Sequence, residues 1–121
     1  MAAVRYLVDD VDRAVTFYTT KLGFTLAERW GKAFAMVSRG DLTLWLSGPE
    51  SSAARPMPDG RKPGPGGWNR VVVEVTDLES KVGAMKREGV IFRNEIVSGP
   101  GGKQILAEDG CGNVVELFQP A

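Results

Sequence analysis

Two stretches of this 121-residue chain follow one plan, and that duplication restricts the fold more than any other feature. Val4-Arg5-Tyr6-Leu7-Val8-Asp9-Asp10 parallels Val71-Val72-Val73-Glu74-Val75-Thr76-Asp77. Each strand-like run leads into a helical stretch and then a glycine, Gly23 in Leu-Gly-Phe and Gly89 in Glu-Gly-Val. Subtracting Val8 from Val75 gives an offset of 67, and Gly23 from Gly89 gives 66. Further on, Gly40-Asp41-Leu42-Thr43-Leu44-Trp45-Leu46-Ser47-Gly48-Pro49 resembles Gly112-Asn113-Val114-Val115-Glu116-Leu117-Phe118-Gln119-Pro120. Self-similarity at a fixed interval means one supersecondary unit used twice.

Within the first copy, residues 3–8 read as a strand. Asp10 is placed to cap a helix whose apolar stripe is Val11, Ala14, Val15, Tyr18 and Leu22, ended by Gly23. Phe24 to Trp30, Ala33 to Arg39 and Leu42 to Ser47 then read as three strands, turning at Gly31-Lys32 and Gly40-Asp41. In the second copy Asn69 to Val75 is a strand, and Asp77 caps a helix carrying Leu78, Val82 and Met85. Ile91 to Val97 is another strand. A hairpin closes the chain over residues 101–120, turning at Asp109-Gly110-Cys111-Gly112-Asn113. Alternation puts Val114, Glu116 and Phe118 on one face and Val115 and Leu117 on the other. The expected organisation is a βαβββ module over 1–49, a linker rich in Pro, Gly and Ser over 50–68, and a second βαβββ module over 69–121. A linker this long also suits the rim of a site.

Composition removes several classes of function. Net charge is zero, with 15 basic and 15 acidic residues, and no basic block forms the face a nucleic acid requires. No apolar run approaches the ~18 residues of a membrane span, and the Met-Ala-Ala-Val-Arg-Tyr start lacks a signal-peptide pattern, so no membrane partner is expected. The single Cys111 permits no internal disulfide and suits a cytoplasmic location. Histidine is absent, which removes Ser-His-Asp and Cys-His catalysis and the commonest transition-metal ligand. Ser98-Gly99-Pro100-Gly101-Gly102-Lys103 is read as a turn: Gln104 stands where a phosphate loop needs a hydroxyl.

Three motifs together resemble the vicinal oxygen chelate superfamily, which includes glyoxalase I, extradiol dioxygenases, fosfomycin-modifying enzymes and bleomycin resistance proteins. They are Val8-x-Asp10-Val11-x-Arg13-Ala14-x-x-Phe17-Tyr18, then Leu22-Gly23-Phe24, and the closing Asp109-x-x-Gly112-Asn113-x-x-Glu116-Leu117. The resemblance spans essentially the whole chain. It implies an α+β fold of two βαβββ repeats forming open half-barrel sheets with helices outside. It also implies a homodimer whose sites are shared between chains.

Enzymes of that superfamily hold a divalent metal with one side chain from the first and one from the last strand of each half. Carried over, the first-strand positions are Ala3 and Arg70, each five residues before a strand-ending valine. The last-strand positions are Leu44 and Glu116, each four after a glycine. A methyl, an isobutyl and a guanidinium cannot ligate a cation, so no metal and no cofactor are expected. Arg70 instead fits a bidentate pair with Glu116 that replaces the ion.

The same parity gives the cavity face: Ala3, Arg5 and Leu7; Leu42, Leu44 and Leu46; Arg70, Val72 and Glu74; Val114, Glu116 and Phe118. Trp45 then points towards the helix as core. Trp30, Phe34, Met36 and Trp68 join the cavity, with Asn69 and Gln104 as further polar groups. An aromatic-rimmed trough with few polar groups suits a hydrophobic or aromatic small molecule. The expected function is non-catalytic sequestration similar to that of bleomycin resistance proteins, with no catalytic residue. Pro65-Gly66-Gly67-Trp68-Asn69-Arg70 with Gly101-Gly102-Lys103-Gln104-Ile105-Leu106 resembles proteins that sequester anthraquinone-fused enediyne antibiotics. The alternative is a glyoxalase-like lyase or isomerase, or a dioxygenase, using Glu116 with or without a metal.

Overall fold

The computed structural model describes residues 2–121, which divide into two compact units after Gly66. The first contains β1 (Val4–Leu7), α1 (Val11–Lys21), β2 (Thr25–Trp30), β3 (Phe34–Arg39) and β4 (Leu42–Ser47). The second contains β5 (Val71–Glu74), α2 (Leu78–Arg87), β6 (Val97–Gly99), β7 (Gly102–Glu108) and β8 (Val114–Pro120). Strand order is β1-β4-β3-β2 in one sheet and β5-β8-β7-β6 in the other, so the duplication seen in sequence is a duplication of topology. In each unit the first strand runs parallel to the last, and the remaining pairs are antiparallel.

Both helices start where the aspartates predict. Asp10 Oδ1 accepts from the Arg13 N–H at 3.0 Å, and Asp77 Oδ1 from the Ser80 N–H at 3.2 Å, satisfying donors that the helix cannot pair internally. Gln119 adds a long-range cap: its Oε1 accepts from the Leu78 N–H at 2.8 Å, tying the start of α2 to β8. Each helix covers one face of its own sheet. Tyr6 of β1 meets Tyr18 of α1 edge-on at 6.5 Å, and Tyr18 meets Phe24 at 5.5 Å. The core of the second unit is Val73, Leu78, Val82, Met85, Ile105, Ala107, Val115 and Leu117, all buried. No helix among the described residues is long and apolar enough to cross a membrane.

One predicted strand is mostly irregular. Over 91–97 only a bridge between Phe92 and Ala107 forms, and β6 starts at Val97. Asn94 is the reason: its side-chain oxygen accepts the Leu106 N–H at 3.0 Å, taking the role of a strand carbonyl, while the Arg93 N–H donates to Leu106 O. Ser98 and Gly99, read as part of a turn, pair with Lys103 and Gly102 instead. The turn itself is reduced to Pro100-Gly101.

The 48–66 segment is folded within the first unit. Ser51 and Gly48 form a turn, Ser52–Ala54 is a short 3-10 helix, and Met57 N–H bonds to Arg61 O. Together with Leu7–Asp9 and Gly48–Pro49 at the strand ends, its Ala54, Pro56 and Lys62–Pro65 line a cavity of about 360 Å³.

Candidate functional site

Each sheet turns one face to its helix and leaves the other open, and register decides which side chains go where. In the first unit Tyr6 faces α1 and pairs with Leu46, so Leu46 and Leu44 face α1 as well. Both are fully buried there beside Val37 and Ala35. This corrects the sequence expectation that Leu44 and Leu46 line the cavity. Their neighbour Trp45, expected in the core, lies on the open face opposite Arg5 and Met36.

The cause is the length of one turn. β3 and β4 are joined by a two-residue turn, Arg39 pairing with Leu42. β7 and β8 are joined by five residues, Asp109 to Asn113, Glu108 pairing with Val114. Aligning the two last strands on Gly40 and Gly112 gives an offset of 72. Register gives 71, because Trp45 pairs with Arg5 as Glu116 pairs with Val72. A one-residue slip sends every side chain of a strand to the opposite face. The five-residue turn is fixed by a buried aspartate, whose Oδ1 accepts from the N–H groups of Cys111 (2.7 Å) and Asn113 (3.0 Å).

The open face of the first unit is an aromatic ladder. Trp30 and Phe34 lie 5.4 Å apart between ring centroids, and Phe34 meets Trp45 edge-on at 5.9 Å. The Arg5 guanidinium sits 5.0 Å from the Trp45 ring centroid and donates to Ser47 Oγ at 2.9 Å. Trp45 Nε1 is buried without a hydrogen-bond partner, which costs about 1–3 kcal/mol and leaves a donor ready for an acceptor. Trp30, by contrast, is 58% exposed.

On the open face of the second unit, charges are paired. Arg70 Nε and Nη2 both donate to Glu116 Oε1, at 3.1 and 2.9 Å. The expected fork onto two oxygens is therefore a convergence on one. Glu116 is 8% exposed, and Arg70 Nη1 continues to Trp68 O at 3.2 Å. Around this pair stand Gln104, in register with Phe118, and Leu106, in register with Glu116. Asn69 is exposed beside Trp68. Arg93, which sequence reasoning missed, is bound to Glu108 Oε1 at 2.5 Å and stacks on Trp68 at 4.8 Å from its ring centroid.

At the positions that the resemblance assigns to metal ligands, the corrected register gives Ala3 and Trp45 in the first unit and Arg70 and Glu116 in the second. One carboxylate, already engaged by a guanidinium, does not form a metal-binding set. Among the described residues no group of three or more His, Cys, Asp or Glu side chains is placed to hold an ion.

The Glyoxalase/Bleomycin resistance protein/Dioxygenase superfamily profile matches residues 1–117. A Bacillus subtilis (strain 168) protein, Uncharacterized protein YurT, is 28% identical over 119 residues, covering 93% of this chain and 92% of its own length. Among solved structures, lactoylglutathione lyase from Agrobacterium tumefaciens superposes with a TM-score of 0.74 at 18% identity, covering 98% of this chain and 92% of the lyase. TnmS3, an antibiotic binding protein from Streptomyces sp. CB03234, superposes with a TM-score of 0.70 at 23% identity, covering 100% of this chain and 97% of TnmS3. At such identities these two likenesses concern the fold, which serves an enzyme in one case and a binder in the other. With its duplicated βαβββ topology and a match along nearly its whole length, the chain belongs to the Glyoxalase/Bleomycin resistance protein/Dioxygenase superfamily.

Proposed function

We propose that the chain is a binding protein that sequesters a hydrophobic or aromatic natural product and releases it unaltered. Anthraquinone-fused enediynes are the first class to test. The observation that carries this reading is the Arg70–Glu116 pair, which puts a fixed cation where the superfamily's enzymes need a metal ligand. A dication brought to that point would meet repulsion from Arg70. Two N–H bonds from Arg70 already occupy Glu116 Oε1, so that oxygen acts as a general base only after they are broken. The aromatic ladder of Trp30, Phe34 and Trp45 supports the ligand class, since flat rings gain dispersion and buried area against such a surface. Arg5, Met36, Asn69, Gln104 and Phe118 are the further contacts assigned in this reading. The antibiotic-binding activity of TnmS3 supports it by analogy of fold. A homodimer with sites shared between chains, working in the cytoplasm, completes the proposal, and light scattering on the purified protein reads its stoichiometry.

The test is a titration with a neutral hydroxyanthraquinone. Tryptophan fluorescence is expected to fall to a stoichiometric endpoint, and extracted ligand to keep its mass and retention time. Turnover of the ligand to a product would overturn sequestration and favour the lyase, isomerase or dioxygenase reading on Glu116. Stoichiometric zinc, nickel, iron or manganese in the purified protein would contradict the assignment of Arg70.

A further inference from the structure

Trp68 is 67% exposed, and in such a position an indole is ordinarily free to sample several rotamers. Here one contact bears on the ring and two bear on the backbone that carries it. The Arg93 guanidinium lies against one ring face, 4.8 Å from the centroid. Arg93 Nη1 donates to Gly67 O at 3.3 Å, and Arg70 Nη1 to Trp68 O at 3.2 Å, so two guanidiniums hold consecutive carbonyls just ahead of β5. Each guanidinium is itself anchored on a carboxylate of the open face, Arg93 on Glu108 and Arg70 on Glu116. Glu108 and Glu116 belong to β7 and β8, which pair in register from Gly102–Pro120 to Glu108–Val114, so the clamp is built on a continuous strand pair.

We propose that Arg93 is a positioning residue that holds Trp68 as a stacking platform for a neutral planar aromatic ligand. The proposal rests on the small-molecule-binding reading above. Holding the indole before the ligand arrives lowers the ordering cost of binding. The charge of the occupant follows from the same geometry. An indole face attracts cations, and the inner face already has one from the chain itself. The outer face is left to attract by dispersion and offset stacking, which favours neutral rings such as quinones over cationic dyes of equal size.

The experiment has an arm that needs no ligand. In a Trp30→Phe/Trp45→Phe background only Trp68 emits, and its fluorescence anisotropy decay reports whether the indole is held. Arg93→Ala is expected to shorten that decay, Arg93→Lys to shorten it less, and Arg93→Ala/Glu108→Gln to behave like Arg93→Ala without an uncompensated carboxylate. Circular dichroism checks that each variant is folded. The second arm measures binding to chains with all three tryptophans, using a neutral hydroxyanthraquinone and a cationic three-ring acridine. Trp68→Ala is expected to weaken anthraquinone binding about tenfold and Arg93→Ala about fivefold. The acridine is expected to bind the wild type less tightly than the quinone. Unchanged anisotropy in folded Arg93→Ala overturns the positioning role. Equal quinone affinity in wild type and Arg93→Ala, no quinone binding to the wild type, or preference for the acridine overturns the platform. Quinone that binds with the expected Arg93 dependence but is recovered chemically changed leaves the platform standing and overturns sequestration alone.

Discussion

The open face of β1-β4-β3-β2 and that of β5-β8-β7-β6 have the same strand order and the same parallel pairing of first and last strands, yet they carry opposite chemistries. On the first, Trp45 stands with Phe34 and Trp30, and a single guanidinium, Arg5, lies over it. On the second, the position equivalent to Trp45 is Glu116, and two arginines are each tied to a glutamate. The comparison shows that duplicating a backbone fixes where side chains project, while the side chains themselves are free to diverge. One copy provides flat apolar area, and the other provides neutralised charge with hydrogen-bonding groups around it. At the positions that the resemblance assigns to metal ligands, the first face has Ala3 and Trp45 and the second has Arg70 and Glu116.

The comparison can be broken most severely at the hairpins. Gly102 begins β7 with φ +146°, and a Cβ there would lie 2.1 Å from Gln119 O. Gly40, in the short turn of the first unit, has φ +58° with open space around it. Gly102→Ala is expected to cost about 4 kcal/mol or prevent folding, and Gly40→Ala about 1 kcal/mol, in urea unfolding. Equal costs would show that the two hairpins are not distinguished by close approach.

Asp109→Ala comes next, since it strips the buried acceptor from the five-residue turn that has no counterpart in the first unit. A loss of about 3 kcal/mol is expected from two unsatisfied N–H groups, and Asp109→Asn should recover part of it. No loss would mean that the loop keeps its length and register without the aspartate.

Breaking the ion pair is expected to have a smaller effect because Arg70 remains partly exposed, with 27% of its side chain accessible. Glu116→Ala should cost about 2 kcal/mol, whereas Arg70→Met/Glu116→Leu should stay within about 1 kcal/mol of wild type, because removing both charges leaves neither unpaired. If the double variant is the less stable of the two, the pair contributes more to the fold than to the character of the face. The smallest change is expected at the matching position of the first unit. Trp45→Phe should alter stability by less than about 1 kcal/mol, since relief of the unpaired indole N–H offsets the packing lost with the smaller ring. A larger loss would mean that Trp45 Nε1 is satisfied in solution, by a bound water for example.

Much of this was legible in the chain itself. Asp10 and Asp77 mark both helix starts because capping is a local interaction, complete within three residues. Parity on β5 and β8 follows from alternation, so Arg70 and Glu116 could be placed together on one face. Leu44 and Leu46 could not be placed by the same means. Alternation divides a strand into two sets without saying which set faces the helix, and aligning on glycines chose wrongly because the two turns differ in length. The 91–97 stretch has strand-like composition, but Asn94 satisfies β7 through its side chain, an option that propensity does not register.

Sequence alone determined the duplication, the helix starts, the missing histidine and the arginine three residues before the end of the Val71–Val73 run, for these depend on residue identity and on neighbours a few positions away. Tertiary structure decided that Trp45 faces outward, that both Arg70 donors converge on one oxygen, and that Arg93 holds Trp68 in place. Each of those depends on how distant strands are aligned across a turn. That alignment is set by the simultaneous burial of one face and the pairing of every backbone group along it, conditions that no local stretch of sequence contains.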